Sequence, residues 1–201
     1  MAPNAFQREV ELFRQHPSGL RMAQALRFGI NRKTLYAMRD KGVVVPISRG
    51  VYRLASLEPL ANPDLVMVAT RIPRGVVCLI SALSFHELTT QVPHAIDVAL
   101  ERGTTRPRLD YPPTHYFWFS GPAFRQGIET HKLDGVPVRI YDPEKTLVDC
   151  FRYRNRLGMD VVLEALRLWR GRRKRKFDAL LKYARMRHVE GTIRPYLEAM
   201  Q

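Results

Sequence analysis

The sequence predicts an α+β protein, with an N-terminal winged helix-turn-helix followed by a mixed α/β domain with a helical C-terminus. Three observations carry that prediction. Residues 20–54, LRMAQALRFGINRKTLYAMRDKGVVVPISRGVYRL, read as a short helix, a turn around Gly29, a second helix and a two-stranded ribbon. Short apolar runs separated by turn residues then continue to Tyr141, as strands do. From Asp142 onward the apolar residues fall at helical spacing.

The elements follow in order. Residues 4–15 place Phe6, Val10 and Phe13 on one helical stripe, and His16-Pro17-Ser18-Gly19 ends it. Residues 21–27 form the next helix. Asn31 is set to cap the third, in which Leu35 and Met38 share one side while Arg32, Lys33, Tyr36 and Arg39 fall largely on the other. Gly42 stops that helix. Val43–Val45 and Gly50–Leu54 form the ribbon, joined through Pro46-Ile47-Ser48-Arg49. Leu57–Pro63 reads as a linker between a head of residues 1–56 and a domain of residues 64–201.

In the second domain Asp64–Ile72 is expected as a helix, Val76–Ile80 as a buried strand and Ser81–Leu88 as a helix opened by Ser81. His94–Leu100 and His115–Phe119 are strands around a basic, proline-rich loop at Gly103–Pro113. Ile128–Leu133 and Val136–Tyr141 flank Asp134-Gly135, a hairpin signal. Asp142-Pro143-Glu144 opens a helix with a cap, a proline at the first turn and an acid. Asp160–Arg170, Lys176–Arg187 and Thr192–Met200 follow as helices.

Composition bounds the function classes. The 201 residues are 45% hydrophobic and carry a formal charge of +14, which favours an anionic partner. The excess is +6 in residues 1–60 and +9 in residues 151–201, around −1 in residues 61–150. Cys78 and Cys150 sit inside apolar runs and read as buried free thiols, which suits a reducing cytoplasm. The N-terminus lacks the apolar core of a signal peptide, and no run reaches the roughly 20 apolar residues of a membrane span. A cytoplasmic protein without a membrane partner is expected.

Two basic stretches stand out, as two separate surfaces or as one surface built from both ends. The first is the candidate DNA-binding set Asn31, Arg32, Lys33, Thr34, Tyr36, Arg39, Arg49 and Arg53, with double-stranded DNA as its expected partner. Arginine can read guanine through two hydrogen bonds, and Lys or Thr can hold phosphate. Ser48-Arg49-Gly50 at the ribbon tip could touch phosphate. The second is Arg167, Arg170, Arg172, Arg173, Lys174, Arg175 and Lys176, which repel one another and gain from an anionic neighbour. A solubilising helix junction explains that run equally well.

The chain does not read as an enzyme. No two histidines stand four apart, and there is no CxxC, so no metal site is expected. Phosphate-loop, dinucleotide and nucleophile-elbow motifs are missing. No lysine has an acid two positions before it, as restriction-type nucleases require. Ser81 and His86 are better explained as a cap and a helix-surface residue than as a nucleophile and base. Asp142, Glu144, Lys145 and Asp149 suit capping, dipole stabilisation and an i, i+4 pair rather than magnesium. No cofactor is expected.

The head, together with SRGVYRL, RGVVCLISALSFHELTTQVP (74–93) and VRIYDPEKTLVDCFRYRNRLGMD (138–160), resembles the AbiEi antitoxins of bacterial type IV toxin–antitoxin systems. That resemblance implies a winged-helix domain that binds inverted repeats in its own promoter and represses the operon, with possible dimerisation on DNA. It implies a C-terminal domain required for antitoxicity and a nucleotidyltransferase-like toxin countered without a stable complex. It carries no catalytic residue. Cys78, Leu83, Leu88, Leu147, Val148, Cys150 and Phe151 in the matching segments are core types. The alternative is a protein-binding module that meets the toxin, or an acidic or nucleic-acid partner, through the basic C-terminal helices.

Overall fold

A computed structural model describes residues 6–199. Asn4 and Ala5 of the expected first helix, and Met200 of the expected last one, lie outside the described residues. The protein is α+β and divides into two compact units. The first runs to Met67 and includes Lys132–Pro137; the second comprises Val68–His131 and the chain from Val138 onward.

The first unit holds α1 (Gln7–Arg14), β1 (Leu20–Arg21), α2 (Met22–Arg27), α3 (Arg32–Asp40), β2 (Val44–Ser48) and β3 (Val51–Leu54). Its core is Phe13, Leu20, Ala25, Ile30, Leu35, Met38, Val44, Tyr52 and Leu54. The expected two-stranded ribbon is a three-stranded sheet in the order β1-β3-β2. β1 is two residues long, too short to show an alternating pattern, and pairs Leu20 with Tyr52 and Arg21 with Val51. Gly19 leads into it at φ +97°, where a Cβ would come within 2.7 Å of the Tyr52 carbonyl oxygen. β2 continues through Pro46 to Ser48 rather than ending at Val45. It is an edge strand, where proline is tolerated, and it bulges between Pro46 and Ser48.

α4 (Pro63–Arg71) follows. Ahead of it the Ala61 and Asn62 amides donate to the Asp134 carboxylate at 3.1 and 3.0 Å, within the first unit.

The remaining elements are β4 (Val76–Val77), α5 (Leu79–Phe85), β5 (Ile96–Glu101), β6 (Thr114–Phe119), α6 (Pro122–Arg125), β7 (Ile128–Leu133), β8 (Val136–Tyr141), α7 (Pro143–Arg152), α8 (Arg154–Leu157), α9 (Met159–Arg170), α10 (Phe177–Met186) and α11 (Glu190–Ala199), all in the second unit except the turn-side ends of β7 and β8 within Lys132–Pro137. The sheet order is β6-β5-β4-β8-β7. β5 runs parallel to β6, and β4 parallel to β8, whereas β4 and β5 are antiparallel. Asp134 and Gly135 both adopt positive φ at the β7–β8 turn, as the sequence predicted.

One stretch differs from expectation. The strand over Val76–Ile80 ends after Val77, and α5 begins at Leu79. Ser81 therefore lies inside the helix instead of capping it. Its hydroxyl accepts from Asp97 N at 2.9 Å and donates to Ala95 O at 3.3 Å. The Asp97 carboxylate takes the Ile80 amide at 3.1 Å, so a distant strand caps this helix. An apolar run alone does not separate a strand from a buried helix.

The core of the second unit gathers around α7. Cys78, Leu83, Leu88, Leu147, Val148, Cys150 and Phe151 are all inaccessible to solvent. Both cysteines are free and buried. Asp142 caps α7 by accepting from Lys145 N at 2.7 Å. The i, i+4 pair of Lys145 and Asp149 forms, but in the interior, with both side chains wholly buried. Among the described residues no helix is long and apolar enough to cross a membrane.

Candidate nucleic-acid interface

The first unit exposes the face that its helical spacing predicts. Asn31 Oδ1 accepts the Thr34 amide at 2.8 Å and starts α3. Leu35 and Met38 then enter the core, which turns Arg32, Lys33, Tyr36 and Arg39 outward. Thr34 is half-buried beside them. Arg32 and Lys33 occupy the first turn, where a cation opposes the helix dipole, and no acid there balances them. Neither makes an ion pair among the described residues. Arg39 is different. Its guanidinium donates twice to Asp40, at 2.9 and 2.7 Å, and lies 4.9 Å from the Tyr36 ring centre.

The ribbon contributes one cation, not two. Arg49 is exposed in the turn between β2 and β3, beside Gly50 at φ +72°. The Met22 amide donates to the Gly50 carbonyl at 2.8 Å and ties that turn to α2. Arg53 leaves the candidate set. Only 9% of it is exposed, and its guanidinium donates to Pro17 O at 2.7 Å, to Leu57 O at 3.3 Å and to Glu58 O. β3 is the middle strand of its sheet and is buried at every position, so the arginine serves three backbone carbonyls.

In the second unit the basic run spans the end of α9, the connection and the start of α10. Arg167, Arg170, Arg173, Lys174, Arg175 and Lys176 are exposed, and Arg172 is half-buried. The run is fastened from within by Glu144. That buried carboxylate accepts from Trp169 Nε1 at 2.9 Å and from Lys176 N at 3.0 Å. Arg175 donates to the Arg170 carbonyl.

The remaining polar groups form an interior network rather than a reactive centre. Lys145 pairs with Asp149 and lies over the Tyr141 and Phe119 rings at 4.2 and 5.1 Å. Arg187 Nε is 2.6 Å from Asp149, close but poorly aligned for a hydrogen bond. Burial pulls the Lys145 ammonium below its ordinary value, against the pull of Asp149. Asp142 also receives the Tyr183 hydroxyl at 2.8 Å, and burial raises its carboxyl. His86 is buried, not on a helix surface, with Nε2 2.7 Å from Tyr141 O. Burial lowers its pKa, and that hydrogen bond opposes the fall. Among the described residues no group of three or more His, Cys, Asp or Glu could hold a metal ion. The burial of Lys145, Asp149 and Arg187 was not legible beforehand, because spacing along a helix does not tell which face is covered.

Residues 7–55 match the family described as transcriptional regulator, AbiEi antitoxin. The head bears the AbiEi pattern. The matched span covers α1 to β3 and ends before the segments at 74–93 and 138–160. No curated protein matches the chain. Among solved structures, the RV2827C protein from Mycobacterium tuberculosis is similar, with a TM-score of 0.55 and 15% identity, covering 86% of this chain and 73% of that one. At that identity the likeness speaks for the fold.

Proposed function

We propose that the protein is an autoregulating transcriptional repressor and antitoxin of the AbiEi type. Its head, residues 1–56, acts as a winged helix-turn-helix on inverted repeats in its own promoter. The domain of residues 64–201 opposes a nucleotidyltransferase-like toxin in the cytoplasm without forming a stable complex. The observation that carries the reading is the outward face of α3, where Arg32 and Lys33 stand uncompensated at the first turn. The AbiEi match over 7–55 supports the same reading. Asn31, Arg32, Lys33, Thr34, Tyr36 and Arg39 then meet the major groove, and Arg49 meets the flanking backbone. A gel-shift titration on the upstream promoter duplex tests it. Specific retardation is expected, with a competing random duplex displacing the complex poorly. Equal competition by the random duplex would overturn the repressor reading.

A second reading is favoured by the exposed run from Arg167 to Lys176. In it these residues dock the toxin or an acidic partner. Co-purification of the two gene products, lost on replacing Arg173, Lys174 and Arg175 by alanine, would select it over the first.

A further inference from the structure

β6 is an edge strand, and its alternation sends Phe117 and Phe119 into the core. The opposite face carries Thr114, Tyr116 and Trp118. Trp118 is 39% exposed, and its ring centre lies 6.4 Å from that of Tyr116. Trp118 Nε1 donates to Thr104 O at 2.9 Å, which holds the indole against the loop that precedes β6. Tyr111, 57% exposed, ends that loop. Arg102, Arg106 and Arg108 project from it, all exposed and none in an ion pair among the described residues. The Arg106 guanidinium lies 5.4 Å from the Tyr116 ring centre. Beside them a hollow of about 360 Å³ is lined by Arg106, Arg108, Asp110 and Tyr116. The Tyr116 hydroxyl is enclosed there, on the side of Thr114.

We propose that this face of β6 with the loop of residues 102–111 binds single-stranded RNA. Aromatic planes held beside arginines are what unstacked bases and their phosphates need. A duplex hides its base faces and would leave Tyr116 and Trp118 unused. An acidic peptide would answer the arginines but not the paired rings. Asp110 repels phosphate, yet its exposed carboxylate can accept from a ribose 2′-hydroxyl. That acceptor selects RNA over DNA. The surface uses none of the residues of α3.

Trp118 is the natural reporter, because the other tryptophan, Trp169, is 2% exposed and donates to Glu144. The full chain is titrated with a short oligo(U), and with oligo(dT), heparin and polyglutamate in parallel. Oligo(U) should quench Trp118 and bind most tightly. Arg106→Ala and Arg108→Ala should each weaken it by about tenfold. Trp118→Phe should abolish the quench while oligo(U) binding, read by anisotropy, persists. Promoter-duplex binding should stay unchanged in all three variants, so this inference and the repressor reading fail separately. No quench by oligo(U), equal affinity for oligo(dT), or equal affinity for heparin or polyglutamate would overturn it.

Discussion

Arg32 and Arg53 are the same residue type in the same basic stretch, yet they have opposite surroundings. Arg32 stands in water at the first turn of α3, so Arg32→Ala should leave the melting temperature nearly unchanged. If it pairs with a base, the substitution should cost about 1–3 kcal/mol of promoter binding, measured by gel shift. Arg53 answers three carbonyls from beneath the surface. Arg53→Met should therefore cost about 1–3 kcal/mol of stability in a denaturant titration, because the carbonyls are left unsatisfied. His86 supplies a pH dependence. Its folded value lies below the ordinary 6.5, so its stabilising contribution is present above that pH and is lost as pH falls through the depressed value. The melting temperature should drop on acidification below about pH 6.5 more steeply for the native chain than for His86→Gln. Equal slopes would show that His86 is not the group responsible.

At the scale of elements, the helices were the most legible part. α3 was readable because three independent signals agree: the Asn31 cap, the Leu35 and Met38 spacing, and the Gly42 stop. The β7–β8 hairpin was equally clear, since Asp134-Gly135 suits a turn with two positive φ values. α5 was misplaced because its cap comes from Asp97 on another strand. α7 was placed correctly but its surroundings were not. Lys145 and Asp149 have the spacing of a surface pair, whereas α5, α9 and α10 all pack on α7 and close it off from water. Asp149→Ala would strand the Lys145 and Arg187 charges in the interior. It should destabilise the second unit by about 3–5 kcal/mol, seen as a lowered denaturation midpoint. A loss below about 1 kcal/mol, the range of exposed pairs, would contradict the burial.

Across the whole molecule, the charge is +14, and both units expose cations. The face of α3, the run from Arg167 to Lys176 and the loop before β6 each expose cations. Promoter affinity should fall log-linearly with salt, with a slope set by the number of phosphates neutralised. Lys33→Ala, removing one such contact, should reduce that slope by about 1 and weaken random and promoter duplexes alike. An unchanged slope would take Lys33 off the phosphate backbone.

The α+β class, the helix-turn-helix order of the head, the Asn31 and Asp142 caps and the outward side of α3 were all decided locally. Each depends on residues within a turn or two, whose spacing and capping chemistry act along the chain. Which arginine is buried, where α5 starts, that β1 joins the sheet, and that an arginine-flanked aromatic face emerges on β6 were decided only in three dimensions. Those outcomes turn on which distant strand or helix covers a given side chain, and burial is a property of the packed molecule rather than of neighbours in sequence.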